Sequence, residues 1–272
     1  MRILEAQYKY LKVLGIGFKH SIEYRADFVL GLLSCFFPIV IQYYLWTAIF
    51  THSGTNSVFG YTYNQMLIYA VLAALVTKLV STDFEGEVTN DVRMGGLSKY
   101  LVQPISYFFY RIYRFAGEKL LHAMIVFILI MGFLFFYQFN SHITITLSQT
   151  LLFVLVIMLA LMLKFLISYA VSVIAFWIHE CNGLFLAINV ITVIISGGIF
   201  PIDIFGDTAV SISKSLPFYY LTYFPVNVLN GKVGFDDIYA GVVIQLIWIV
   251  IFMLFIKWLW RIGMKRYIAS GG

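Results

Sequence analysis

The 272-residue chain is 61% hydrophobic and only 11% charged, with mean hydropathy +0.90. Soluble domains carry about a quarter charged residues, so there is too little polar surface here for a water-soluble globule, and the bilayer must be part of the solvent. The net charge of +5 then bears on orientation in a membrane rather than on nucleic acid, and two cysteines, Cys35 and Cys181, offer no disulfide framework.

The first 27 residues scatter Arg2, Lys9, Lys12, Lys19 and Arg25 among apolar residues, which is not the pattern of a cleavable signal. On a helix, Leu4, Tyr8, Leu11, Phe18 and Ile22 share one face, and Arg2, Glu5, Lys9, Lys12, Lys19 and Glu23 lie roughly opposite. This reads as an interfacial amphipathic helix, with the first helix of a soluble cap as the alternative. Residues 28–272 then form one membrane domain, since no linker or low-complexity run divides them.

A crossing needs about 20 mainly apolar residues. Six segments meet that test, at 28–50, 61–80, 120–139, 148–178, 184–204 and 238–260. The expected fold is therefore all-α and polytopic, with six transmembrane helices. Lys and Arg crowd the N-terminal segment, the 81–119 loop (Arg93, Lys99, Arg111, Arg114, Lys119) and the C-terminal end (Lys257, Arg261, Lys265, Arg266). The opposite loops around THSGTNSVFG and NSHITIT have none, and the long 196–234 loop has only Lys214 and Lys232. By the positive-inside rule both termini and the 81–119 loop are cytoplasmic.

Two loops carry functional signal. In STDFEGEVTNDVRMGGLSKYL, Ser81, Thr82 or Asp83 can cap a short helix whose acids Asp83, Glu85, Glu87 and Asp91 precede Arg93, and Gly95-Gly96 supplies a stop. Such a rigid element suits a cytosolic partner, although a solvated loop fits these residues equally well. The segment 196–234 contains Pro201, Pro217 and Pro225 yet is rich in Ile, Phe and Tyr. Apolar pieces broken by Gly and Pro point to re-entrant helices, allowed where their backbone is buried in protein or lines water, or else to an interfacial loop.

Within the spans, Lys164 is the one deep basic residue, and no central Asp or Glu is available to pair with it. It lines a pathway or plays a structural part, or its stem snorkels to the surface. GxxxxGK[ST], HExxH, CxxC and GxSxG are all absent, so phosphate-loop ATP hydrolysis, zincin chemistry and a nucleophile elbow have no footing in this chain.

The run NDVRMGGLSKYLVQPISYFFYRIYRFAGEK after the second span, FWIHE at the end of the fourth, and SGGIFPIDIF with LPFYYLTYFPVNVLNG before the sixth together resemble the permease subunits of type-2 ABC transporters, the ABC-2-like transporter proteins. The resemblance covers nearly the whole chain. It implies that 83–97, with Asp83, Glu85, Glu87, Asp91, Arg93, Gly95, Gly96 and Leu97, is the coupling helix that docks on an ATP-hydrolysing subunit, with a second contact around Glu180. It also implies an outer re-entrant gate at Gly197, Gly198, Pro201, Pro217 and Phe218.

On this resemblance the chain is not an enzyme and binds no cofactor itself. ATP and Mg²⁺ are handled by cytosolic ABC ATPase partners, and a second permease completes a homodimer or heterodimer in a bacterial plasma membrane. The implied activity is export of a hydrophobic or amphipathic molecule such as a lipid, peptide or natural product. The alternatives are an ATP-independent secondary transporter or channel, a membrane-embedded lipid-modifying enzyme, or a membrane anchor for a cytosolic complex.

Overall fold

The structure, a computed structural model, describes residues 2–141, 146–178 and 181–267. Twelve α-helices account for most of it: α1 Arg2–Glu23, α2 Arg25–Ser34, α3 Phe36–Ser53, α4 Tyr63–Val80, α5 Glu85–Arg93, α6 Ser98–Leu101, α7 Tyr107–Ser141, α8 Leu147–Val173, α9 Asn182–Ile195, α10 Asp207–Lys214, α11 Tyr223–Leu229 and α12 Phe235–Gly263. A two-stranded antiparallel hairpin, β1 Ser57–Val58 and β2 Tyr61–Thr62, precedes α4, with Ser57 opposite Thr62. Most of the NSHITIT loop lies outside the described residues.

Among the described residues five helices are long and apolar enough to cross a membrane: Arg25–Ser53 (α2 and α3 together), Tyr63–Arg93, Tyr107–Phe136, Leu147–Phe176 and Phe235–Gly263. Local chemistry sets their starts. Thr62 and Thr146 each form a capping box, with Gln65 and Gln149 respectively, which satisfies otherwise orphaned N–H groups at the heads of α4 and α8. The expected fifth span, 184–204, does not hold as one helix. α9 has 14 residues and ends at Ile195, about 21 Å at 1.5 Å per residue, short of the roughly 30 Å hydrocarbon core. The cause is Gly197 at φ +75°, a left-handed residue that turns the chain back, followed by Gly198, whose N–H bonds to the Val193 carbonyl at 2.9 Å.

The core lies between α4, α8 and α11, where Tyr69, Leu72, Val76, Leu163, Leu166, Phe224 and Val226 are buried. The other long helices leave much of their apolar surface uncovered, as lipid-facing helices do. α12 closes over α8, and Gln245 reaches the carbonyls of Val156 (3.3 Å) and Tyr220 (3.1 Å).

α1 forms the expected N-terminal helix and packs lengthwise on α7. The face it uses is not the apolar stripe. Val13, Gly17 and Ser21 are buried, while Tyr8, Leu11 and Ile22 stay exposed, leaving that stripe free for lipid. The crossing is backbone on backbone. A Cβ at Gly17 would run into the Arg114 carbonyl, and one at Gly117 into the Leu14 carbonyl. Small residues allow such an approach, and dispersion contacts along the seam hold it.

Gly17→Ala or Gly117→Ala should therefore each lower stability by about 1–3 kcal/mol through overpacking. Gly15→Ala, with nothing within 4 Å of the added Cβ, should be neutral or stabilising by up to about 1 kcal/mol. Thermal unfolding of the three variants in one detergent checks the order.

Candidate functional site

The short helix expected at 83–97 exists as α5, Glu85–Arg93. Its N-cap differs from expectation. Phe84 occupies the cap position with no side-chain cap bond, so Ser81, Thr82 and Asp83 do not perform that role. Thr82 Oγ1 lies instead 2.6 Å from both Glu85 Oε1 and Ser168 Oγ, which ties a buried Glu85 to α8. Val88, Thr89 and Val92 fill the same inner face. The stop is as expected: Gly95 adopts φ +74°, and the Leu97 N–H returns to the Asp91 carbonyl at 2.9 Å. Leu97 is buried.

Glu87 and Asp91 of α5 point inward at α7. The Arg111 side chain, 4% exposed, donates to Glu87 Oε2 and Asp91 Oδ2 at 2.5 Å each. Its Nε donates to Tyr107 Oη (2.9 Å), and Tyr107 donates to Asp91 Oδ2 (2.9 Å). Arg114 reaches Glu87 at 3.1 Å and Glu118 at 3.0 Å. Gly96 makes room for this network, since a Cβ there would lie 2.6 Å from Asp91 Oδ1. Beneath it, Phe84 packs on Phe115 and Phe165 (ring centroids 5.7 and 5.1 Å), and Tyr107 stacks on Trp260 of α12 (5.6 Å). A desolvated guanidinium needs its counter-charges close and its donors engaged, and here two carboxylates and the Tyr107 hydroxyl give each of the three nitrogens a partner.

With those acids engaged, the outer rim of the segment is made of other residues. Asp83, Asn90 and Arg93 are exposed, as are Met94 (77%), Leu101 and Val102 (84%). Glu180 lies outside the described residues.

Along α4, from the hairpin at its head to Thr77 in its last turn, residues 196–234 fold into a compact cap of short helical pieces. Gly197 accepts a hydrogen bond at its carbonyl from Tyr69 Oη (2.6 Å), and a Cβ on Gly198 would sit 2.7 Å from Thr77 Oγ1. Both glycines are thus needed for close approach to α4. Pro201 and Pro217 are buried at the heads of the 3₁₀ turns Ile202–Phe205 and Pro217–Tyr220, and Phe218 is half-buried against the core.

The cap has a polar centre that inspection of the sequence did not single out. Asp203 accepts from Tyr61 (2.8 Å) and Tyr223 (2.7 Å) and pairs with Lys232 (2.8 Å), whose ammonium sits 3.4 Å from the centre of the Tyr61 ring. Burial, then the neighbouring Tyr223 and Asp203, push the Tyr61 phenol well above its ordinary pKa, so it stays a donor. Burial lowers Lys232, and Asp203 opposes that fall. An isolated Asp in an apolar run was the only signal available for this cluster.

Lys164 is buried on α8 and donates to Asn189 Oδ1 of α9 at 2.8 Å. It pairs with an amide and not with a carboxylate, so it is neither snorkelling nor part of an intramembrane ion pair among the described residues.

A family model described as ABC-2 family transporter protein matches residues 36–271, from the head of α3 to beyond α12. The chain therefore belongs to the ABC-2 family. It is a membrane-spanning permease component of an ABC transporter, a part that is not itself catalytic. No curated protein matches the chain.

Removing Arg111 would leave Glu87 with Arg114 alone and Asp91 with Tyr107 and the more distant Lys99 (3.7 Å), and breaking a buried pair costs up to about 3–5 kcal/mol. Arg111→Met should therefore produce the largest loss of thermal stability in the network. Asp91→Asn should come next and Glu87→Gln last, because the Asp91 side chain is 15% exposed and that of Glu87 is 42% exposed.

Proposed function

We propose that the chain is the permease of an ATP-driven exporter in which two permeases, identical or related, each dock on one cytosolic ABC ATPase. In this reading α9 and the cap that follows it complete a sixth, interrupted passage, and both termini lie in the cytoplasm of a bacterial cell. The orientation rests on the crowding of Lys and Arg at the α5 end. ATP and Mg²⁺ belong to the ATPase, and this chain contributes the surface that receives its movement.

The observation that carries the reading is the two-sided build of α5. Its inner face is fixed to α7 and α8 by Glu85, Glu87 and Asp91. Its outer face, continued by the turn after α6, presents Asn90, Arg93, Met94, Leu101 and Val102 to solvent. Force applied to such an element is passed to α7, and through α7 to α1, instead of being lost in a loose loop. The coupling residues divide accordingly: Asp83 and Arg93 face the partner with the exposed apolar rim, Glu85, Glu87, Asp91, Gly95, Gly96 and Leu97 hold the element in place, and the segment around Glu180 makes a second contact.

At the other end, the cap built on Gly197, Gly198, Pro201, Pro217 and Phe218 closes the exit side. Lys164 lies beside the path between the two ends. Cargo is a hydrophobic or amphipathic molecule leaving the cytoplasm or inner leaflet, moved as ATP binds the two access states differently. A secondary transporter would draw support from a charge pair within the spans, and Lys164 meets an amide.

Arg93→Glu combined with Met94→Asp should reduce retention of the ATPase subunit in mild detergent, and cargo-stimulated ATP hydrolysis, by about tenfold or more, with thermal stability unchanged. Full retention and stimulation in that variant would remove the docking assignment.

A further inference from the structure

A cavity of about 630 Å³ lies where α7 begins and α12 ends, between those two helices, the last turns of α8 and the segment around α6. That is well inside the roughly 300–1,000 Å³ range of small-molecule sites, and the docking role of α5 makes no use of it. Its walls are aromatic: Tyr100, Tyr107, Phe108, Phe109, Tyr169 and Trp260 line it. Tyr107 stacks on Trp260 with ring centroids 5.6 Å apart, and Tyr169 stacks on the same indole at 6.0 Å. Tyrosine and tryptophan collect at the headgroup level of a membrane, and the cavity sits at the end of α12 that carries its Lys and Arg residues.

Two polar groups of the wall lack partners. Tyr169 is 1% exposed, and its hydroxyl has no hydrogen-bond partner. Leaving such a buried donor unmatched is costly. Lys257 is exposed at the rim and forms no ion pair among the described residues. No Asp or Glu lines the cavity among those residues. Asp91, which reaches Tyr107 of the wall, is already shared by Arg111 and Lys99. Arg261, one turn further along α12, is also exposed and adds a second positive charge to the same helix face. Met253, one turn nearer the middle of α12 than Lys257, continues the apolar wall toward the centre of the membrane.

We propose that this cavity holds one acidic phospholipid as a bound ligand. Its phosphate meets the Lys257 ammonium, an ester carbonyl accepts from the Tyr169 hydroxyl, and an acyl chain follows the aromatic wall past Met253. Basic pockets between transmembrane helices take anionic headgroups in this way. An aromatic enclosure alone would also suit a quaternary ammonium, but Lys257 and Arg261 repel one. A free anion would leave the apolar walls uncovered. The occupant would brace Tyr107, which is bonded to Asp91 and Arg111, and so would stiffen the base of the α5 network. The site needs no ATPase, so its failure would leave the docking assignment standing.

The test uses the full-length protein, stripped of lipid in a maltoside detergent. Phosphatidylglycerol, phosphatidylcholine with the same acyl chains, or glycerol phosphate is titrated in while thermal unfolding is followed. The expected result is a saturable rise in Tm of about 3 °C with phosphatidylglycerol at about tenfold above Kd. Phosphatidylcholine should give a clearly smaller rise, and glycerol phosphate none. Lys257→Gln should reduce the phosphatidylglycerol response to that of phosphatidylcholine. Lys12→Gln, which removes an exposed cation of α1 outside the cavity, should keep the preference. Tyr169→Phe should leave the lipid-free Tm equal or higher and weaken phosphatidylglycerol binding by about fivefold. Equal responses to the two lipids, or a full response to glycerol phosphate, would overturn the proposal. So would a preference that survives Lys257→Gln or is equally lost in Lys12→Gln, or undiminished affinity in Tyr169→Phe.

Discussion

A guanidinium taken out of water must find its counter-charges within hydrogen-bond reach, and the placement of Arg111 follows from that requirement. Its two carboxylates come from α5, one turn apart at positions 87 and 91, and its third hydrogen bond goes to the hydroxyl of Tyr107, one turn earlier on its own helix. Glu87 and Asp91 share a helix face because they are four residues apart. That face can meet α7 only if the chain reverses sharply after Arg93, which Gly95 and Gly96 permit. The orientation of α5 is thus dictated by the desolvation of one cation. The same helix that carries Arg111 carries Gly117, the point of backbone contact with α1, so α5, α7 and α1 form one mechanically continuous group.

The cap solves a comparable problem with different chemistry. Short helical pieces between 196 and 234 leave many backbone groups outside regular ladders, and these must be satisfied before the segment can sit against apolar helices. Tyr69 serves the Gly197 carbonyl, the Ser196 carbonyl accepts from the Tyr223 N–H at 2.8 Å, and Asn230 Nδ2 donates to the Gln65 carbonyl at 3.2 Å. Asp203, Lys232 and two tyrosines form the hub that holds these pieces together. Half of these contacts end on α4 or on the hairpin at its head, and α4 is also the helix that leads into α5. α4 therefore carries cap contacts along its length, from Tyr69 to Thr77, and continues into the α5 group, so the two are joined by one helix.

Much of this architecture was legible in the chain. The first, second, fourth and sixth expected spans match observed helices within a few residues at most ends, because long apolar runs leave little choice. The third span, placed from 120, is one helix with the preceding SYFFYRIYRFAGEKLL, which reads as a helix entering from the interface: α7 begins at Tyr107, and Arg111, Arg114 and Glu118, which lie outside the apolar window, are paired in the fold. The fifth span was overextended. ISGGIFPIDIF is apolar, and hydropathy does not register a left-handed glycine. In the α5 segment, the helix and its glycine stop could be read from residue types alone. The direction of its acids could not, because their partner lies some twenty residues further along the chain. The Asp203 hub joins positions 61, 203, 223 and 232 and has no local pattern to betray it.

The central claim is that Arg111 and Asp91 act as one unit that fixes α5 to the membrane helices. A double-mutant cycle measures it directly, with unfolding free energies of Arg111→Gln, Asp91→Asn and the combined variant compared with the parent in the same detergent. A coupling energy of about 2 kcal/mol is expected, since contacting charged residues in one network couple by 0.5–3 kcal/mol. Additive effects, within about 0.5 kcal/mol of the sum, would contradict the account and leave the packing of α5 on α8 to hold it.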